Sequence, residues 1–563
     1  MANPILECVP NFSEGRRPDV IDKIAAALGS VDGARVLDVD PGKATNRTVM
    51  TLVGNPEAVV EAAYRAIAEA AHLIDMSSHK GEHARMGATD VCPLIPIAGM
   101  SMDEAVHWSK VLAERVGKEL GIPVYLYEYS AKEAYRRNLA DIRAGEYEGL
   151  EVKMKDPRWS PDFGPESFHA SCGATVIGAR DFLVAYNVNL NTVSPRWANS
   201  VAFDVREVGR IVRDGHPLTG KIRLDAHGEP VRQPGTCKSV KGVGWYIPEY
   251  CLAQVSMNLT RLADTDLHEA YEAVWESAHR RGLRVTGSEL VGLVPLESML
   301  KAGRYFMRQA GRSSGASHEE LIECAIQSMG LRQLGDFDPR RKIIEYAMEA
   351  PHGPLVSMTL GAFADLTASD APAPGGGSVA AYMGVLAAAL GAMVANLSAH
   401  KRGWEAQTPA FSDRAEAFQD IKNKLLRAVD EDTKAFEGVM QAIALPKSTE
   451  AEKANRLEAI AKANFRALQV PLQTMEFISP LFAMLEHMVQ QGNPNSRSDA
   501  MVGLQAAWAA LEGAYWNVII NAGPSTDRSA ETLEAVSQAD SLRNASQRIW
   551  ERATQAGASL LNP

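Results

Sequence analysis

The chain has 563 residues, 46% of them hydrophobic and 23% charged, which excludes a disordered, collagen-like or disulfide-scaffold protein and leaves a globular one. That length exceeds a single hydrophobic core and predicts two or three domains. A net charge of −11 with no long basic stretch to offset it excludes nucleic acid as a partner, so an anionic ligand must meet a local cationic pocket.

Up to about residue 346, strand-like runs (ARVLDVD, RTVMTLVG, VYLYEY, FLVAYNVNL, LAQVSMNL) alternate with helical stretches such as PEAVVEAAYRAIAEAAHLI, whose apolar residues recur at helical spacing. In LDVDPGKATNRTVM, Asp38 and Asp40 end a strand, Pro41 and Gly42 turn the chain, and Asn46 and Arg47 open the next strand. Alone, this reads as an ordinary hairpin-like loop.

Residues 77–91, SSHKGEHARMGATDV, are harder to dismiss. The spacing of His79 and His83 puts both rings on one helical face, as zinc sites do, but Gly81 weakens a helix there by about 1 kcal/mol relative to alanine, and no third ligand is evident nearby. With Lys80, Glu82, Arg85 and Asp90 added, the segment carries more polar groups than a connection needs. A histidine titrating near neutral pH can shuttle a proton, neighbouring cations can hold a carboxylate, and an aspartate from the preceding loop can support the charged ring. Histidines that satisfy local backbone groups, and a zinc hydrolase, stay open as alternatives.

The region also repeats. NRTVMTLVGNPEAVVEAAYRAIAEAAHLI parallels LAQVSMNLTRLADTDLHEAYEAVWESAHRRGL, ATDVCPLIPIAGMSMDEAV parallels GSELVGLVPLESMLKAG, and ECVPNFSEG parallels AYNVNLNTV. Two related subdomains split near residue 182 are expected, with a ligand cleft between them.

After EAPHGPLVSM the pattern changes to long Ala/Leu/Met-rich helical segments, so a domain boundary falls at 347–356 and a helix bundle follows. In SDAPAPGGGSVAAYMG, Gly375, Gly376 and Gly377 precede a helix whose first turn holds Ser378, an arrangement that favours an anion. No lysine follows in Walker register and no strand precedes, so neither a nucleotide loop nor a dinucleotide fingerprint is present. The glycines alternatively allow close helix packing. In AVDEDTKAF, Asp430 and Asp432 point about 200° apart on a helix; one can serve in the bundle and the other is expected in solvent. GNPNSRSDAMVG, with Asn493, Asn495, Arg497 and Asp499, is a helix cap or a ligand-gripping loop.

No apolar run approaches the ~20 residues that span a bilayer, and the N-terminus lacks a basic and then apolar leader, so a cytoplasmic protein without membrane contact is expected. Six scattered cysteines (Cys8, Cys92, Cys172, Cys237, Cys251, Cys324) form no CxxC pair and read as buried thiols.

Taken together, ECVPNFSEG, LDVDPGKATNRTV, HLIDMSSHKGEHARMGATDVCPLIP, IRAGEYEGL, WSPDFGP, VGWY and GSELVGLVPL resemble the transferase part of the formimidoyltransferase-cyclodeaminase family. APGGGSVAA, VDEDTKAF, ALPK and RSDAMVG resemble its cyclodeaminase part, in the family's order along nearly the whole chain. The resemblance implies an α/β (α+β) region of two related ferredoxin-like subdomains, residues 1–182 and 183–346, a linker at 347–356, and an all-α helix-bundle domain at 357–563. It implies transfer of a formimidoyl group from N-formimidoyl-L-glutamate to tetrahydrofolate, then cyclisation of the product to 5,10-methenyltetrahydrofolate with loss of ammonia, in the breakdown of histidine.

By motif, the resemblance places the transferase catalytic histidine at His83, supported by Asp40 and Arg47, and the cyclodeaminase acid/base at Asp432. Folate binding falls on GPESFHASCG: Gly164, Pro165, Glu166, Ser167, Phe168, His169, Ala170, Ser171, Cys172 and Gly173. Arg47, Lys80 and Arg85 are candidates for the substrate carboxylates, Gly375–Ser378 for folate or its glutamate tail, and Arg402 or Arg497 for that tail. Tetrahydrofolate, which can be polyglutamylated, enters as cosubstrate, with no metal and no nucleotide, and the protein is expected to be a homo-oligomer. The rival is a monofunctional transferase with a helical oligomerisation domain.

Overall fold

The computed structural model describes residues 4–42, 46–81, 84–215, 220–348, 353–524 and 529–561. Glu82 and His83 lie outside them, as do residues 349–352 of the expected linker. The first stretch of chain runs β1 (Ile5–Cys8), β2 (Asn11–Phe12), α1 (Pro18–Leu28), β3 (Ala34–Gly42), β4 (Arg47–Gly54), α2 (Pro56–Leu73), β5 (Thr89–Ala98), α3 (Met102–Glu119), β6 (Val124–Leu126), α4 (Leu139–Arg143), α5 (Glu146–Lys153) and β7 (Thr175–Ala179). β1 and β2 are one strand interrupted around Pro10, which has no N–H for a ladder, and both lie between β4 and β5, antiparallel to each. β3 flanks β4, while β7 and then β6 extend the sheet beyond β5 in parallel.

A second stretch follows as β8 (Val184–Leu190), α6 (Pro195–Val205), four two-residue strands β9 (Arg210–Ile211), β10 (Arg213–Asp214), β11 (Lys221–Ile222) and β12 (Arg232–Gln233), then β13 (Val240–Ile247), β14 (Leu252–Leu259), α7 (Leu267–His279) and β15 (Val285–Val291). Its sheet has the order β13-β14-β8-β15. Numbering each unit's main strands from one to four, both sheets place them 2-3-1-4 within a β-α-β-β-α-β chain path, the ferredoxin-like arrangement. The three sequence parallels map onto the first strand, the third strand with its following helix, and the fourth strand with the helix after it. The repeat expected from the sequence is therefore a repeat of fold.

Local chemistry explains these elements. Asn55 caps α2 by accepting from the Ala58 N–H at 2.9 Å, with Pro56 at the first helical position, and Ser101 and Glu104 form a reciprocal capping box on α3. Leu6, Cys8, Leu52 and Leu94 from the sheet join Val59, Ile67 and Leu112 from α2 and α3 in one buried cluster. In the second sheet, Tyr186, Val188, Leu190, Val255 and Met257 are buried at every second position. The alternate residues Asn189 and Gln254 are also buried and bond to each other at 2.8 Å.

The remaining helices are α8 (Leu296–Gln309), α9 (His318–Met329), α10 (Pro339–Lys342), α11 (Ile344–Met348), α12 (Leu360–Thr367), α13 (Gly376–Ala399), α14 (Thr408–Ala444), α15 (Glu450–Gln491), α16 (Arg497–Asn521) and α17 (Ala530–Leu561). Two compact units result, Met1–Ser298 with Met329–Met348, and Met299–Ser328 with Glu349–Pro563. Residues 299–328 thus pack with the helical unit although they precede the expected linker. The cause is polar pairing: Ser313 N–H donates to His400 Nε2 at 3.0 Å, Asn396 donates to the Gly315 carbonyl at 2.8 Å, and Arg308 pairs with Asp413 and Glu416.

α13 is the centre of the bundle and packs against α14, α15 and α16. It overturns the expectation that no segment is long and apolar enough to span a bilayer: it has 24 residues and a mean hydropathy of 1.9 over its most apolar window. That window is 61% buried inside the bundle, which accounts for its apolar composition. Gly391 lets α13 approach α14 closely, since a Cβ there would collide with the Phe418 ring. Of the six cysteines, Cys8, Cys92, Cys172 and Cys237 are buried as expected, but Cys251 is exposed.

Candidate functional site

The histidine segment is tied down on both sides of the undescribed pair. Met76 N–H donates to the Ser171 carbonyl at 2.8 Å, Ala88 N–H to the Cys172 carbonyl at 2.8 Å, and Ala174 N–H to the Met86 carbonyl at 3.1 Å. A third segment joins through Tyr147, whose N–H donates to the Arg85 carbonyl at 2.8 Å, whose hydroxyl donates to the Ala170 carbonyl, and whose ring lies 5.4 Å from Phe168. Phe168, Ala170, Ser171 and Cys172 of the expected folate stretch therefore sit against the histidine loop. Gly173 closes the same turn, its N–H donating to the His169 carbonyl at 2.7 Å, while His169 Nδ1 accepts from the Cys172 N–H. Gly164 lies instead beside Gly117 and Ile122, and Gly164, Pro165, Glu166 and Ser167 are exposed.

Arg85 is already paired within the chain. Only 7% exposed, it donates to Glu148 at 2.6 and 3.0 Å, to Glu146 at 2.8 Å and to the His79 carbonyl at 3.3 Å. The hydrogen bond it donates to Glu148 is the main reason its pKa lies above the ordinary value. A guanidinium spent on two carboxylates has little left for a substrate carboxylate; it braces the loop. Glu146 and Glu148, the partners of Arg85, were not singled out in the sequence, although in IRAGEYEGL two acids flank a tyrosine directly after a glycine.

His79 is equally committed. Arg85 Nε donates to its Nδ1 at 3.3 Å, so the proton sits on Nε2 and is donated to the Asn46 carbonyl at 3.0 Å. Burial holds its pKa below the usual value. Both ring nitrogens are occupied, which suits neither a zinc ligand nor a proton shuttle. Asn46, at φ +50°, also accepts from Gly15 N–H at 3.0 Å and donates to the Lys80 carbonyl at 2.9 Å, so one asparagine joins the β3–β4 hairpin, the β2–α1 turn and the histidine loop.

Two expected cations remain beside the loop. Lys80 is exposed on a cavity of about 560 Å³ lined also by Gly81, Arg85, Gly145, Glu146 and Glu148, all from the first subdomain rather than from a cleft between the two. Arg47 is half-buried; burial and then Arg143 lower its pKa, with Asp90 and Asp40 opposing them. Asp40 is exposed near the end of β3, opposite Val49. Asp90 is fully buried, accepts from Met86 N–H at 2.9 Å and pairs with Arg143. The expected Asp40–His83 couple involves a residue outside those described. A loop braced by Arg85 and fringed by Lys80 and Arg47 can hold an acidic substrate.

The second cluster lies in the helical unit. Asp432 on α14 faces the N-terminus of α13, where Ser378 Oγ donates to its Oδ2 at 3.0 Å and the Ser378 N–H hydrogen-bonds the same carboxylate. Burial raises the Asp432 pKa, and the two Ser378 bonds oppose that rise. Asn517 of α16 lies beside Gly376. Such a half-buried carboxylate can exchange a proton with a bound group.

Asp430 does face away from Asp432, but it is not in solvent. It is 5% exposed, and its Oδ1 accepts from Leu355 N–H at 2.8 Å, because the chain entering the bundle passes directly over it. Arg402 and Arg497 are not brought to Asp432 within the chain. The 24 residues of α13 put Gly376 and Ala399 about 35 Å apart at 1.5 Å per residue, and Arg402 lies beyond that far end. Arg497 begins α16, about 30 Å along that helix from Asn517. Its guanidinium donates to the Val489 and Leu560 carbonyls.

Three family models match successive stretches of the chain. The family model described as "Formiminotransferase domain, N-terminal subdomain" matches residues 5–180, "Formiminotransferase domain" matches 185–349, and "Formiminotransferase-cyclodeaminase" matches 359–538. A formimidoyltransferase-cyclodeaminase of Gallus gallus is 42% identical over 561 residues, covering 99% of this chain and 98% of its own. A glutamate formimidoyltransferase of Streptococcus pyogenes serotype M1 is 38% identical over 54% of this chain and 93% of its own. A methenyltetrahydrofolate cyclohydrolase of Methylorubrum extorquens is 34% identical over 30% of this chain and 82% of its own. With a family relative matched from end to end, this chain belongs to the formimidoyltransferase-cyclodeaminase family.

Proposed function

We propose that this is a bifunctional folate enzyme of histidine degradation. Residues 1–346 transfer the formimidoyl group of N-formimidoyl-L-glutamate to N5 of tetrahydrofolate, and residues 357–563 close the product to 5,10-methenyltetrahydrofolate with release of ammonia. The observation that carries the reading is the 42% identity to a two-activity relative over 99% of the chain. A cytoplasmic location and assembly as a homo-oligomer belong to the same proposal.

In the transfer, folate N5 attacks the amidine carbon, and the bond from that carbon to the glutamate nitrogen then breaks. His83 takes the proton from N5 and returns it to the departing nitrogen, a role worth ~10²–10⁴ in rate. Asp40 supports the imidazolium, and Lys80 and Arg47 hold the substrate carboxylates. Phe168 to Gly173, laced to the loop, flank the folate.

In the cyclisation, N10 attacks the formimidoyl carbon and loses its proton, the bond from that carbon to the terminal nitrogen breaks, and ammonia leaves. Asp432 carries the N10 proton to the leaving nitrogen. The protonated formimidoyl group supplies the further proton that balances the cationic product.

A monofunctional transferase with a helical oligomerisation domain fits less well, because an oligomerisation helix has no use for a half-buried carboxylate bonded across two helices. The test is methenyl-folate absorbance from supplied 5-formimidoyltetrahydrofolate: enzyme-dependent product is expected, and a rate equal to the uncatalysed one contradicts the second activity.

A further inference from the structure

The glycines and serine at the start of α13 read, in sequence, as a holder for folate or its tail. The structure fills that place with the protein's own side chain. Asp432 reaches from α14 to the first turn of α13, where backbone N–H groups have no partner within the helix. It accepts from both the N–H and the hydroxyl of Ser378, which is fully buried. Gly377 is what makes room: a Cβ there would sit on the Asp432 carboxylate.

The hydroxyl network also has a direction. An ionised carboxylate only accepts, so the single Ser378 proton goes to Asp432. Thr433 Oγ1, 3.2 Å from Ser378 Oγ, must then be the donor of that contact. The chain of donors runs Thr433 to Ser378 to Asp432, so the Ser378 proton is committed to the carboxylate.

We infer that Ser378 is a positioning residue for Asp432 in the cyclisation, with Gly377 as the clearance that admits the carboxylate, and that neither residue holds the folate. The inference rests on Asp432 as the proton carrier proposed above. It predicts a kinetic signature different from that of a binding residue. Loss of the Ser378 hydroxyl withdraws a donor that favours the charged carboxylate, so the Asp432 pKa rises whether the group acts as acid or as base. The limb of the pH–rate profile that reports it moves to higher pH.

The experiment uses the full chain and 5-formimidoyltetrahydrofolate, with helical circular dichroism and the transfer rate of the same preparation as controls. Ser378→Ala is expected to lower kcat for cyclisation about tenfold, the order of one hydrogen bond to a charged group, to leave KM within twofold and to shift the pH limb upward. Thr433→Val is expected to shift the limb in the same direction by less. Gly377→Ala is expected to lower cyclisation to the level of Asp432→Asn. A raised KM in Ser378→Ala with kcat and the pH limb unchanged would return the serine to folate binding and overturn the inference. Full cyclisation by Asp432→Asn would instead remove the proton carrier itself, and the inference with it.

Discussion

Arg85 shows how a cation's partners within the chain bear on the task its neighbourhood suggests. Its place in a cationic, histidine-bearing loop suggests a substrate carboxylate, yet its guanidinium is bonded to Glu146 and Glu148 and to both a ring nitrogen and the carbonyl of His79. The acids come from 61 and 63 positions along the chain, a pairing that a single sequence does not display. Arg85→Ala is expected to destabilise the first unit by about 1–2 kcal/mol, discounted from a fully buried pair because both glutamates are largely exposed. Lysine should not restore it, lacking the planar fork. Denaturant unfolding with transferase kinetics checks this: unaltered stability with only a raised KM for the acidic substrate would make Arg85 a substrate ligand after all. Helical geometry sets Asp432 and Asp430 on opposite faces but does not choose between them; the resemblance of VDEDTKAF to the family motif singled out Asp432. The burial of Asp430 was not, because it depends on where the chain near Leu355 crosses.

At the scale of elements, β1 places Leu6 and Cys8 in the core beneath α2 and turns Glu7 to the other face, where it is 3% exposed. Burial pushes its pKa up to about 8, with Arg180 opposing and Glu345 adding to the rise. A group whose folded pKa is raised keeps its full contribution below the unfolded value near 4.5 and loses it as pH climbs towards 8. Glu7→Gln is therefore expected to raise the unfolding midpoint at pH 8 more than at pH 5; an equal or opposite change at the two pH values would contradict a buried, protonated Glu7. The strands and the repeat were readable from alternating and helical hydrophobic periods, because those periods are imposed by the two sheets and their covering helices. What periodicity does not carry is helix direction. Arg402 and Arg497 were grouped with the Gly375–Ser378 turn on charge alone, whereas α13 and α16 carry them to the far end of the bundle.

For the whole molecule, the two candidate sites fall in different compact units, the histidine loop within Met1–Ser298 and Asp432 within Glu349–Pro563. The sequence anticipated that division through its change of composition near residue 350. It did not anticipate residues 299–328 joining the helical unit, because serines at 313 and 314 look like any polar turn until His400, Asn396 and Ser412 are placed beside them. Separate units make separable activities the central claim. The most direct measurement is the pair of initial rates in His83→Ala, formimidoyl transfer from N-formimidoyl-L-glutamate and cyclisation of supplied 5-formimidoyltetrahydrofolate. Transfer is expected to fall by at least ~10² while cyclisation stays within about twofold of the unmodified enzyme. Parallel loss of both rates in a folded variant, or transfer left intact, would contradict it.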